Sequence, residues 1–164
     1  ISADLNELAQ TPVTVVAAGA KAILDLEKTY EVLETLGVPV IAYGQDSLPA
    51  FWSATSSLPA PLRMDSAAKI AKAHQMRVAM GLPGGQMIAN PIPTDAQIPA
   101  ETLAPIIAKA LQEAEEQGIA AKSVTPFLLG RIFELTDGAS LTANIALVRN
   151  NAKLAAQIAC AMND

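Results

Sequence analysis

Cysteine occurs once in this 164-residue chain, as Cys160, so no internal disulfide can form and a reducing, cytoplasmic compartment fits best. With no base nearby, Cys160 is expected to be a small core residue of a C-terminal helix rather than a nucleophile. Histidine also occurs once, as His74, and without a second histidine at ligating spacing it reads as structural or surface. Positive charge is scarce: 11 Lys and Arg against 16 Asp and Glu leave a net charge of -5, which argues against binding a nucleic-acid polymer. A small polyanion remains compatible, because two or three local donors hold one phosphate. Long apolar runs are missing too. Val13 to Ala17 is far shorter than the roughly 20 residues that span a bilayer, and the longest helical pattern carries Arg149 and Lys153, so a soluble protein with no membrane partner is expected. The chain opens on Ile1 with no signal-like segment before Ser2-Ala3-Asp4, and it reads as a fragment. Repeats and low-complexity tracts are absent.

What is present is apolar residue: 51% of the chain is hydrophobic, enough for the core of one domain. Ser2 is placed to cap a helix running to about Gln10, which Thr11-Pro12 stops. Val13 to Ala17 reads as a strand buried on both faces of a parallel sheet. After Ala18-Gly19-Ala20, the spacing of Ile23, Leu24, Leu26, Tyr30, Leu33 and Leu36 predicts a helix that Gly37 closes. Val38 to Tyr43 is the next strand, and strand, helix, strand makes a right-handed parallel crossover. Gly44 to Pro61 is expected to be a long loop lining the site. Asp65 or Ser66 caps a helix to about Met80, Leu82 to Gly85 is a turn, and Gln86 to Ala89 is a third strand. Helices follow over Ala100 to Gln117, Thr125 or Pro126 to Leu135, and Ser140 to Met162. Three strands and about six helices predict a layered α/β/α fold with a mostly parallel sheet. Glu113, Glu115 and Glu116 read as a solvated helix face.

Lys21 stands out for its position. It lies just past the first strand and its small-residue turn, at the carboxyl end of a parallel strand, where α/β proteins place ligands. Partial desolvation lowers a lysine's pKa and exposes the neutral amine that attacks a carbonyl carbon. The plain alternative is a solvated lysine in a helix's first turn. Asn90 ends another strand, where its amide either meets a ligand or closes an Asx turn before Pro91. Asn144 lies on a helix whose Leu141, Ile145, Leu147 and Val148 predict packing, and its amide needs partners from protein or substrate. Gly84-Gly85 lacks the context of a phosphate loop and reads as a turn. Asp4, Asp25, Asp46 and Asp65 are scattered along the chain. The residues alone reach an α/β domain with a candidate lysine site.

An ordered set of stretches carries a resemblance. Ile1-Ser2-Ala3-Asp4-Leu5 is followed by Val15-Val16-Ala17-Ala18-Gly19-Ala20-Lys21-Ala22-Ile23-Leu24-Asp25 and by Leu33-Glu34-Thr35-Leu36-Gly37-Val38-Pro39. Leu48-Pro49-Ala50-Phe51, Asn90-Pro91-Ile92-Pro93, Thr125-Pro126-Phe127-Leu128-Leu129 and Ser140-Leu141-Thr142-Ala143-Asn144-Ile145 complete it. Together they resemble the pseudouridine-5'-phosphate glycosidase family, which includes the indigoidine synthase A-like proteins. The match extends over essentially the whole chain, as the C-terminal part of a single larger domain.

The resemblance implies reversible cleavage of the carbon-carbon glycosidic bond of pseudouridine 5'-phosphate to uracil and ribose 5-phosphate. It assigns Lys21 the covalent role, with its amine attacking the sugar C1'. It assigns Ser2, Ala3 and Asp4 to substrate contact, and Asn144 to the pyrimidine, whose edge an amide reads as donor and acceptor. It also implies a divalent metal such as manganese, held by an aspartate immediately before Ile1 and by no residue of this chain. The family's general-acid glutamate, second lysine and histidine-bearing glycine-rich stretch belong to an N-terminal half, so the chain alone is expected to be inactive. Homotrimers are the implied assembly. Two other classes stay open: a Schiff-base sugar-phosphate lyase or aldolase, and a non-catalytic assembly domain.

Overall fold

The computed structural model describes residues 3–20, 25–120 and 123–163. Four parallel strands, β1 (Thr14–Ala17), β2 (Val40–Tyr43), β3 (Leu62–Met64) and β4 (Gln86–Ala89), form one sheet in the order β1-β4-β2-β3. Six helices are described: α1 (Asp4–Gln10), α2 (Leu26–Thr35), α3 (Ala67–Ala79), α4 (Ala100–Glu116), α5 (Val124–Leu135) and α6 (Ala139–Ala161). The predicted α/β class with a parallel sheet is the one that forms.

Strand alternation sorts the core into layers. Val40, Ala42, Met87 and Ala89 pack with Leu5 and Leu8 of α1 and Leu33 of α2. The intervening Ile41 and Ile88 pack with Ile70 and Ala71 of α3 and Leu154 and Ile158 of α6. Successive side chains of a strand point to opposite faces, so one apolar run serves two helix layers. A third cluster joins α4, α5 and the first half of α6 around Trp52 and Ile92.

Several expectations change. There are four strands among the described residues rather than three. β3 is a three-residue edge strand with exposed Leu62 and Arg63, too short and too polar to stand out by pattern. Expected to be buried on both faces, β1 is half-buried along its whole length, and it lies at the sheet edge with β4 its one described strand partner. Helix α2 is described from Leu26, with the Asp25 carboxylate accepting from the Lys28 amide at 3.1 Å; Ile23 and Leu24 of the expected helix lie outside the described residues. At α1 the capping position is Ala3, and the expected Ser2 cap lies outside the described residues. Cys160 is exposed rather than in the core. Glu113 is not simply solvated: it chelates the Arg131 guanidinium and ties α4 to α5, while Glu115 and Glu116 are exposed. No helix among the described residues is long and apolar enough to cross a membrane.

Candidate active site

β1 and β4 end side by side, with Ala17 opposite Ala89 and the Asn90 amide donating to the Ala17 carbonyl at 2.8 Å. The chain then turns through Ala18, Gly19 and Ala20. The long loop after β2 folds over this turn, as Phe51 N–H donates to the Ala18 carbonyl at 2.8 Å. Gly19 has φ +88°, and a Cβ there would come within 2.2 Å of the Pro49 carbonyl oxygen, so the close approach requires glycine. Ala20 N–H donates to the Tyr30 hydroxyl at 3.3 Å, and burial pushes that phenol's pKa up. Trp52, buried in the same loop, donates its Nε1–H to the Ser140 carbonyl at 3.1 Å and joins the loop to the start of α6. Lys21 follows this turn directly in sequence and lies outside the described residues.

The second polar group at this edge is Asn90, only 3% exposed. It meets neither an Asx turn nor open solvent, since its Nδ2 donates to Asn151 Oδ1 at 3.0 Å. The neighbouring Asn150 Nδ2 donates to the Pro91 carbonyl at 3.0 Å, so two consecutive residues of α6 hold the segment that leaves β4. Ile158 and Met162 line one cavity with Pro12, Val13 and Thr14 at the amino end of β1, while Asn150 and Asn151 hold the segment leaving β4, so α6 runs antiparallel to the strands. Asn144 shares a helix face with buried Leu147 and with Asn151, seven residues or about 10 Å farther along the axis. That offset carries half-buried Asn144 past the carboxyl edge of the sheet. Asn151 is the site residue that sequence reasoning missed, although its spacing of seven from Asn144 places both on one face.

Ala3 and Asp4 stand at the start of α1. At the other end of this helix, the Leu8 carbonyl accepts from Gly85 N–H at 2.7 Å, just before β4 begins. A Cβ on Gly85 would lie 2.0 Å from the Val13 carbonyl oxygen, so this turn too is held against backbone. With its last turn at the strand starts, α1 leads through Thr11 and Pro12 into β1. Ser2 lies outside the described residues. The edge therefore collects Asn90, Asn144 and the turn before Lys21.

The remaining candidates fall elsewhere. His74 Nδ1 lies 3.2 Å from the Thr14 hydroxyl, which also accepts from Gln86 Nε2 at 3.1 Å, beside a cavity of about 250 Å³ at the amino end of β1. Its role there is structural. A larger cavity of about 470 Å³ runs between α2 and the amino end of β2, lined by Glu27, Glu31, Glu34, Val38 and Leu62. Neither cavity reaches Asn90 or Asn144. Among the described residues no three His, Cys, Asp or Glu side chains come together as a metal site. The implied manganese therefore finds no three-donor set on the described part of this chain.

A parallel sheet with polar groups gathered at its carboxyl edge defines an α/β protein of the ligand-binding or catalytic kind. More specifically, the chain belongs to the family described as indigoidine synthase A like protein, which matches residues 1–161. It is 71% identical over 162 residues to the pseudouridine-5'-phosphate glycosidase of Jannaschia sp. (strain CCS1), covering 99% of this chain and 54% of that one. It is 70% identical to the enzyme of the same name from Paracoccus denitrificans, covering 99% of this chain and 53% of that one. Among solved structures, prealnumycin C-glycosynthase AlnA in complex with ribulose 5-phosphate superposes with a TM-score of 0.91 at 33% identity, over 99% of this chain and 53% of that one. An indigoidine synthase A-like protein from Thermotoga maritima superposes with a TM-score of 0.88 at 34% identity, over 97% of this chain and 52% of that one. The chain spans about half the length of the curated relatives it matches.

Proposed function

We propose that this chain is the C-terminal half of a pseudouridine-5'-phosphate glycosidase, a single α/β domain that interconverts pseudouridine 5'-phosphate with uracil and ribose 5-phosphate. The observation that carries the reading is 71% identity, across 99% of the chain, to a protein of that name. The ribulose 5-phosphate held by AlnA supports a pentose phosphate as ligand.

In this reading the Lys21 amine attacks C1', and the C1'–O4' bond opens as the ring oxygen takes a proton. The C1'–N adduct so formed is an amine still bonded to uracil. As the bond from C1' to the uracil ring carbon breaks, its electron pair stays on that carbon, which is protonated as uracil departs, and the nitrogen lone pair closes the C1'=N imine. Water then hydrolyses the imine, releasing ribose 5-phosphate and restoring the amine. A covalent lysine adduct divides one difficult carbon-carbon cleavage into smaller steps. Ser2, Ala3 and Asp4 contact the sugar phosphate, and the Asn144 amide reads the uracil edge. The N-terminal half supplies the acid, a second lysine and the aspartate that holds manganese. The enzyme works as a cytoplasmic homotrimer, and residues 1–164 alone are inactive.

The test is uracil release from pseudouridine 5'-phosphate by the full-length protein, alongside borohydride trapping with ribose 5-phosphate and peptide mapping. Release together with reductive labelling of Lys21 is expected. Labelling without uracil release transfers the protein to other Schiff-base lyases, and neither signal makes it a non-catalytic assembly domain.

A further inference from the structure

The backbone that leads out of β1 toward Lys21 is held position by position. The Ala17 carbonyl accepts from Asn90 N–H and the Ala18 carbonyl from Phe51 N–H, both at 2.8 Å. Gly19 lies against the Pro49 carbonyl. Those three restraints come from backbone. Ala20 differs, because its N–H donates to a side chain, the Tyr30 hydroxyl, ten positions along the chain.

Two distances place that hydroxyl on the Gly19–Ala20 peptide: it is 3.3 Å from the Ala20 nitrogen and 3.2 Å from where a Gly19 Cβ would stand. Tyr30 is itself well anchored. Its ring packs against the core cluster that includes Leu33 and Leu48, on a helix whose start is capped by Asp25. Burial raises the phenol's pKa, so at neutral pH an uncharged hydroxyl does the accepting. The sequence between Ala20 and Tyr30 contains Lys21, so one hydrogen bond ties the start of that segment to the helix at its end. Tying the ends of a segment restricts the conformations open to what lies between. For an attacking group this matters, since a misplacement of about 1 Å costs on the order of a hundredfold in rate.

We propose that Tyr30 is a positioning residue: by holding the Ala20 amide, its hydroxyl sets the direction in which the chain enters Lys21 and so where the amine stands relative to the sugar C1'. The proposal rests on reading Lys21 as the covalent residue.

Tyr30→Phe in the full-length protein removes one oxygen and keeps the ring. Borohydride trapping of ribose 5-phosphate on Lys21 and kcat for uracil release should each fall about tenfold, the worth of one lost hydrogen bond, with KM for pseudouridine 5'-phosphate unchanged. Amide exchange at Ala20 should accelerate while the Phe51 and Asn90 amides stay protected. 3-Fluorotyrosine incorporated in place of Tyr30 keeps the oxygen on a more acidic phenol; trapping and kcat should return, with the pH limbs of kcat where they stand in the parent. A limb that follows the fluorinated phenol makes Tyr30 a proton donor to the reaction and overturns the positioning role. A loss carried by KM alone overturns it too, as does an Ala20 amide that already exchanges fast in the parent, a result that needs no variant to fold. A parent that traps no ribose 5-phosphate on Lys21 sinks the covalent reading and this proposal together, whereas undiminished trapping by Tyr30→Phe beside a trapping parent sinks the positioning alone.

Discussion

Asn90, at the end of β4, and Asn151, in the middle of α6, are joined by a 3.0 Å hydrogen bond between their side chains. Asn90 is nearly fully buried, so this bond fixes where α6 stands relative to the sheet. Because Asn144 shares a helix face with Asn151, the same bond sets how far Asn144 reaches beyond the strand ends.

Asn151→Ala removes the acceptor and leaves a buried amide unpaired, a loss of about 1–3 kcal/mol. Denaturant unfolding of the full-length protein should show a lower midpoint, and Asn151→Asp, which keeps an acceptor, should recover part of it. In the synthetic direction the alanine variant should raise the KM for uracil, while borohydride trapping of ribose 5-phosphate is retained. An unchanged KM would separate the Asn90 bond from base recognition.

Gly19→Ala forces a Cβ against the Pro49 carbonyl at a backbone angle of φ +88°. Overpacking and left-handed strain together cost on the order of 1–3 kcal/mol. The thermal midpoint should fall, and activity should fall further than stability alone explains, because the turn leads straight into Lys21.

Lys21→Ala should abolish the trapped ribose 5-phosphate adduct and lower uracil release by on the order of a thousandfold or more, since no other group supplies the attacking electron pair. Its unfolding midpoint should stay close to the parent's. Turnover near the parent value would refute the covalent role.

Arg131 holds the Glu113 carboxyl below its ordinary value of 4.5. The folded protein therefore binds that proton less tightly than the unfolded chain does, and the pair's contribution is complete above about pH 4.5 and fades as pH falls through the lowered folded value. Glu113→Gln should flatten the acid side of the stability profile below about pH 4.5, as followed by denaturant midpoints. An acid limb identical to the parent's would show that the pair is not linked to folding.

Local signals were legible wherever a local cause was sufficient. Ser66, half-buried and in β conformation, caps α3 through the Lys69 amide, so the helix start was readable to within the pair Asp65 and Ser66. Thr11-Pro12 ends α1 for the equally local reason that proline has no amide to donate. β3 escaped because three residues, two of them exposed, carry no period; pairing with β2 makes Leu62–Met64 a strand. Helical spacing raised Asn144 as an amide in need of partners and resemblance gave it the pyrimidine, whereas the partnership of Asn90 with Asn151 spans 61 positions of sequence.

The sequence by itself determined the α/β class, most helix limits and the family, because capping, periodicity and ordered motifs act over a few residues or accumulate along the chain. Tertiary structure alone decided that β1 occupies an edge, that Cys160 faces outward and that α6 leaves Leu141, Ile145 and Val148 uncovered. An apolar pattern records that a side chain is suited to burial; which surface buries it depends on what else packs there, and no local stretch of sequence carries that information.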